Sequence, residues 1–186
     1  MRKNFGAKPI LYPMPVLVIA TYNEDGSANA MTAAWGTIAD TDRIAIYISG
    51  THKTLANILK RKAFTVSFAD EKNVIPADYV GILSGNMEAD KVSKTGWHLM
   101  KSEFVDAPLI KELLVALECR FISFDEASEL MIGEIINVCA DESVLDYAGK
   151  IDPTKLRPIS YDPMNNDYYV LGEKVGNAFK DGMKLK

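Results

Sequence analysis

A mainly β fold with flanking helices is predicted by three features of the sequence. Runs at 15–22, 43–49 and 63–69 are rich in Val, Ile, Phe and Tyr, which pack well on a pleated surface. Short turns join the first three strand-like runs, and the first turn, Asn23-Glu24-Asp25-Gly26, ends in an Asp-Gly pair that favours a hairpin. Three strands within about 35 residues leave no room for crossover helices, so the sheet pairs antiparallel and must curl or close. Composition is that of a globular domain: 186 residues, 48% hydrophobic and 25% charged, enough for one domain or one domain with a C-terminal extension.

The first run, Pro15-Val16-Leu17-Val18-Ile19-Ala20-Thr21-Tyr22, is an apolar, β-branched strand closed by the Asn23–Gly26 turn. The second, Asn29-Ala30-Met31-Thr32-Ala33-Ala34-Trp35-Gly36, is unlike its neighbours. Three alanines and a closing glycine keep its surface low. Two readings stay open: small residues that let two sheets approach, or a bed for a flat ligand bonded by backbone amides and the Thr32 hydroxyl, with Trp35 as an aromatic edge. The third run, Arg43-Ile44-Ala45-Ile46-Tyr47-Ile48-Ser49, alternates clearly.

Gly50-Thr51-His52-Lys53-Thr54 then leads into a predicted helix over 55–62, with Leu55, Ile58, Leu59 and Lys62 at helical spacing and Thr51 or Thr54 as its cap. A fourth strand covers 63–69, with Phe64, Val66 and Phe68 on alternate positions. Residues 70–83 read as a helix broken or tolerated at Pro76, and 84–108 are the least regular stretch. Runs at 113–124 and 130–140 form a second hairpin, apolar partly on both faces as barrel walls are. The tail from Ile151 carries a last strand near Tyr168-Tyr169-Val170-Leu171.

A net charge of −4 argues against general nucleic-acid binding, and no apolar run approaches the roughly 18 residues of a membrane helix. The basic start Met1-Arg2-Lys3 has no apolar segment behind it, so a signal peptide is not expected and the cytoplasm is the expected location. Cys119 and Cys139 sit in apolar runs and read as small buried hydrophobes; no Cys/His cluster has metal-ligand spacing. The loop 50–54 offers amides, hydroxyls and a cation at a helix start, the groups that hold a phosphate, although on pattern alone a capped helix with a solvated lysine is the plainer reading. It lacks the glycine spacing of a P-loop. His52 reads as a hydrogen-bonding side chain, His98 as a helix-surface residue, Trp97 as core or interface, and Asp90-Lys91 as a surface ion pair. No nucleophile–base–acid set assembles by spacing.

Five motifs in order carry a family resemblance: Pro13-Met14-Pro15-Val16; Asn29 to Trp35; Thr51-His52-Lys53-Thr54 with Asn57-Ile58; Ser84-Gly85 with Asp90-Lys91; and Leu117-Glu118-Cys119-Arg120. Together they resemble the flavin reductase-like family of FMN-binding split β-barrels, particularly its flavoredoxin branch. The resemblance implies one domain over 1–186, with a six-stranded antiparallel split barrel at 10–150 and an extension at 151–186. It also implies a homodimer with FMN in a groove near the subunit interface. By position, Asn29, Ala30, Met31, Thr32, Ala33, Ala34 and Trp35 would contact the ring and ribityl chain. Ser49, His52, Lys53 and Thr54 would hold the phosphate side, Asn57 would also bind the cofactor, and Ser84, Gly85, Asp90 and Lys91 would close the pocket. The implied activity is an NAD(P)H-dependent flavin reductase, with NADH or NADPH as donor; the alternative is a flavoredoxin-type carrier fed by a redox protein partner. Lys53 and Lys91 would suit a second phosphorylated ligand, which favours the reductase.

Overall fold

The computed structural model describes residues 1–186. Its strands in chain order are β1 (Met14–Pro15), β2 (Leu17–Tyr22), β3 (Ala28–Ala33), β4 (Gly36–Asp40), β5 (Arg43–Tyr47), β6 (Ala63–Phe68), β7 (Leu99–Lys101), β8 (Pro108–Ile110), β9 (Val115–Asp125), β10 (Leu130–Ala140), β11 (Ile159–Asp162) and β12 (Asp167–Val170). Helix α1 spans Lys53–Arg61, α2 spans Val74–Ile82 and the short α3 spans Pro153–Leu156. The main sheet runs β3-β2-β6-β9-β10-β5-β4, antiparallel throughout.

This sheet has seven strands rather than the expected six, because the run 29–36 is not one strand. β3 ends at Ala33, and after Ala34 and Trp35 the chain starts β4 at the opposite edge of the sheet. Three Cα–Cα steps span at most about 11 Å, so the two edges must lie side by side and the sheet must curl into a split barrel. Gly36 stands at the crossing: a Cβ there would meet Leu17 Cδ1 at 2.6 Å.

β2 is buried along Leu17–Ala20 because each face meets a different core. Leu17 and Ile19 point into the barrel with Ile46, Phe64, Val66 and Met131. Val16, Val18 and Ala20 lie outside it, beneath Ala77 and Val80 of α2 and the side chain of Trp97. α1 plugs one end of the barrel through Leu55 and Ile58, both buried in the inner core. Its predicted caps are corrected: the N-cap is His52, with no side-chain capping bond, while Thr54 is buried in the first turn. α2 forms with Pro76 at its third position, where no intrahelical N–H bond is lost.

The irregular stretch 84–108 holds one short pairing, β7 with β8, and is otherwise fixed by polar contacts. Trp97 is core, its Nε1 donating to Asn73 Oδ1 at 2.9 Å. His98 is not on a helix; it precedes β7 and pairs through Nδ1 with Glu112 at 2.6 Å. Ser102 Oγ donates to the buried Glu118 at 2.5 Å, while Asn137 Nδ2 supplies its other oxygen at 2.5 Å. Thr65 Oγ1 donates to the Pro108 carbonyl at 2.6 Å. The tail contributes two strands, since β11 pairs with both β1 and β12. Cys119 is wholly buried with its thiol pushed up to about 12 by burial, and both cysteines are free. No helix is long and apolar enough to cross a membrane, and no group of three or more His, Cys, Asp or Glu side chains could hold a metal ion.

Gly133 lies inside the barrel where β9 and β10 shift register, and a Cβ there would meet Phe64 Cζ at 2.4 Å. Gly133→Ala is therefore expected to cost about 1–3 kcal/mol of stability through displacement of a packed ring. Urea unfolding of both proteins checks this; equal midpoints would place Phe64 elsewhere.

Candidate functional site

β3 is bonded to β2 on one side only, so the backbone groups along its outer edge are left for other partners. Its side chains alternate. Ala30 and Thr32 face α2, the Thr32 hydroxyl donating to the Ala77 carbonyl at 2.5 Å, whereas Met31 and Ala33 pack on the barrel core. The small residues of 29–35 are therefore divided between two faces by the two-residue period of a strand. What they offer jointly is an open backbone edge. Ala34 and Trp35 lie beyond it, and Trp35 meets Tyr47 edge-to-face with ring centroids 6.5 Å apart.

The strand, the helix start and the Ser-Gly turn meet at Asn29. This side chain is buried, and its Nδ2 donates to Thr54 Oγ1 at 2.7 Å. Gly85 leans on the same pair: a Cβ there would stand 2.2 Å from Asn29 Oδ1 and 3.3 Å from Lys53 Cβ. Only glycine lets the turn approach so closely. Asn86, which the sequence did not single out, joins the two loops by donating from Nδ2 to the Thr51 carbonyl at 3.0 Å. It also donates its amide to Ser84 Oγ at 3.2 Å. An Asn after a Ser-Gly turn was the available signal, since such residues bond nearby backbone.

At this junction α1 presents its N-terminus. The first-turn amides have no side-chain cap and there is no acidic residue in the first turn. Around them lie Lys53, half-buried, and the Ser49 and Thr51 hydroxyls, 3.2 Å apart. His52 is exposed at the cap. Unpaired amides, a positive dipole end, hydroxyls and one cation form a cradle for an anion. The nearest carboxylate in this loop's bonding is Glu129, 3.4 Å from the Gly50 amide, on an exposed turn.

Three residues expected here do other work. Asn57 is buried with its amide given to Thr21 Oγ1 at 3.1 Å and Asn23 Oδ1 at 2.8 Å, which pins α1 to the first hairpin. Asp90 is exposed and pairs with Lys94 at 3.4 Å, not with Lys91. Lys91 is buried, 2% exposed, and its ammonium donates to the carbonyls of Val80 at 2.8 Å and Leu83 at 2.6 Å. It caps the C-terminus of α2 and ties down the chain after Gly85. A lysine so placed is no surface ion pair, and it is not free to meet a second phosphorylated ligand. Tyr168 of the tail is also held: its hydroxyl donates to Asp78 of α2 at 2.8 Å, its pKa raised first by burial and then by that carboxylate.

The largest groove, about 640 Å³, runs beside this junction and not into the anion cradle. It is walled by residues 8–11 and Pro13–Pro15 on one side and by Trp35, Ile38 and Tyr47 on the other, and takes in Ala34 but no residue of loop 49–54. A second apolar groove of about 460 Å³ shares Pro13, Pro15, Phe68 and Leu117 with it.

Comparison with known proteins agrees with this architecture. The family profile described as "Flavin reductase like domain" matches residues 10–155. The structure of a flavoredoxin of Desulfovibrio vulgaris (Miyazaki F) superposes with a TM-score of 0.93 at 37% identity, covering 98% of this chain and all of that one. A flavoredoxin from Methanosarcina acetivorans gives 0.87 at 30% identity, covering 100% of both chains. YwrF, an uncharacterized protein of Bacillus subtilis, is 28% identical over 87% of this chain and 85% of its own.

Burial pushes the Lys91 pKa from 10.5 down to about 8. Between those values the unfolded chain holds a proton that the folded protein lacks, so Lys91's contribution to stability rises with pH through that window and is lowest below it. Wild type is therefore expected to gain stability relative to Lys91→Met as pH is raised from 8 to 10. Urea unfolding across that range checks this; a constant difference would show an amine in contact with water.

Proposed function

Because the chain belongs to the flavin reductase-like family, we propose that it holds FMN at the junction of β3, the α1 N-terminus and the Ser84-Gly85 turn, and works as a flavoredoxin-type electron carrier. The observation that carries this reading is the convergence of Asn29, Lys53, Thr54 and Gly85 around an uncapped helix start. One monophosphate fits that cradle, which favours FMN over a dinucleotide flavin. Lys53 would balance the phosphate charge, Ser49 and Thr51 would give hydroxyl bonds, and the first-turn amides would give backbone bonds. The free edge of β3 would meet the polar rim of a planar ring, and Gly85 would let the turn close over it without touching Asn29. Bound FMN would supply reversible redox chemistry, exchanging electrons singly or in pairs. The protein's part is to orient the ring, set its hydrogen bonds and limit water.

A carrier is favoured over a nicotinamide-dependent reductase because the basic residue that would have met a second phosphate, Lys91, is committed to two carbonyls. One observation supports the reductase as a second reading: Trp35 is 55% exposed beside the largest groove, an aromatic surface on which a nicotinamide could stack. A homodimer, with that groove at its interface, belongs to the proposal in either case.

Two measurements test this. Lys53→Ala is expected to weaken FMN binding about 10- to 150-fold, the worth of one charged hydrogen bond of roughly 1.5–3 kcal/mol, with the fold intact. Unchanged affinity would put the phosphate elsewhere. Mixed anaerobically in a stopped-flow instrument, FMN-loaded protein should be bleached by dithionite but not within minutes by NADH or NADPH. Bleaching within seconds by either nucleotide gives the reductase reading instead.

A further inference from the structure

The C-terminal arm leaves the body of its own chain with its apolar side chains uncovered. After the Leu171 amide donates to the Pro158 carbonyl at 3.1 Å, every remaining backbone hydrogen bond of the arm lies within the arm. Yet the arm is shaped. The Asn177 amide bonds Asp181 at 2.8 Å, Lys184 pairs with Asp181 at 3.2 Å, and Asp181–Leu185 turn as a short helix. Val175 and Phe179 are as exposed as free side chains, at 101% and 102%. Phe179 also has φ of 62°, a conformation that is costly for a bulky non-glycine residue and persists when surroundings enforce it. Here the turn itself holds it, closed by the Lys180 and Asp181 amides on the Asn177 carbonyl at 3.3 and 3.1 Å, and it leaves the ring exposed.

Three observations identify the occupant. Leu171, where the arm departs, lies on the rim of the second apolar groove, which continues through Pro13 and Phe68 into the largest one. The arm carries Lys174, Lys180, Lys184 and Lys186 against Glu173 and Asp181, while the exposed turn beyond Ile38 carries Asp40 and Asp42. The match to the Desulfovibrio flavoredoxin takes in 98% of this chain, so the arm lies almost wholly within the shared fold and is no stray tail. An arm of the common fold that makes no hydrogen bond outside itself and leaves Val175 and Phe179 uncovered points to a second copy.

We propose that residues 171–186 form an exchanged arm: in a two-fold dimer each arm lies across the partner's largest apolar groove, with Phe179 as its anchor beside Trp35, Ile38 and Tyr47. The exchange is reciprocal, so each groove is covered by the other chain. This deepens the dimer of the proposed function but does not depend on which ligand the anion cradle holds.

The test uses the full chain. Phe179 is replaced by the photoreactive benzoylphenylalanine, the protein is illuminated, and products are separated on a denaturing gel and mapped by mass spectrometry. The expected product is a covalent dimer joining position 179 to peptides 8–17 or 34–47. Separately, Phe179→Ala is expected to weaken the dimer about 10- to 30-fold in sedimentation equilibrium, as loss of an aromatic anchor does. A link within one chain, a covalent dimer joined elsewhere, or a wild type that stays monomeric at high concentration would overturn the exchange. A dimer untouched by Phe179→Ala and giving no covalent product would overturn the arm while leaving the dimer itself in place.

Discussion

The two-residue link between β3 and β4 is the constraint on which the rest of the molecule depends. It joins strands at opposite edges of a seven-stranded sheet, so the sheet has no choice but to curl. Curling gives β2 and β6 an inner and an outer face, which explains why both are buried along almost every residue. The inner face closes on itself around Phe64 and Met131, and the outer face is left to α2 and the stretch that follows it. Closure also stops short of a hydrogen-bonded seam. β3 keeps a free edge, and that edge lies next to the start of α1 because Asn29 reaches Thr54.

The site is thus a product of long-range geometry supported by short-range chemistry. Asn29, Thr54 and Gly85 are separated by dozens of residues and meet through one hydrogen bond and one missing side chain. Lys91 works at a remove from them. By giving its ammonium to the last carbonyls of α2 it fixes the end of the segment that begins at Ser84, in the manner of a positioning residue. Its burial would be expensive without those two acceptors.

Much of this was legible in the sequence, and the failures share a cause. Periodicity found β2, β5, β6 and the long β9–β10 hairpin because their alternation reflects burial that extends along the strand. The motif 50–54 showed itself through residue types that a helix start requires. Asn57 and Lys91 were misplaced because a side chain's partner depends on tertiary contacts: Asn57 lies five residues from His52 yet faces Thr21 and Asn23. The break at Ala34 and Trp35 was hidden for a similar reason. Nothing local ends the strand there; the chain leaves because Gly36 must pass over Leu17 to reach β5. β11 escaped notice because it is four residues long and gains its order from β1, more than 140 residues earlier in the chain.

The unpaired edge of β3 has a consequence for solubility. A row of free amides and carbonyls on a strand is a template on which another chain can add a strand, and proteins commonly block such rows with charge, proline or a bulge. β3, Ala-Asn-Ala-Met-Thr-Ala, carries none of these. The features that would make it a bed for a planar ligand also leave it without a guard against self-association. A flavin seated on that edge would be its guard as well as its cargo, and the bare protein is the form in which chains can add to one another.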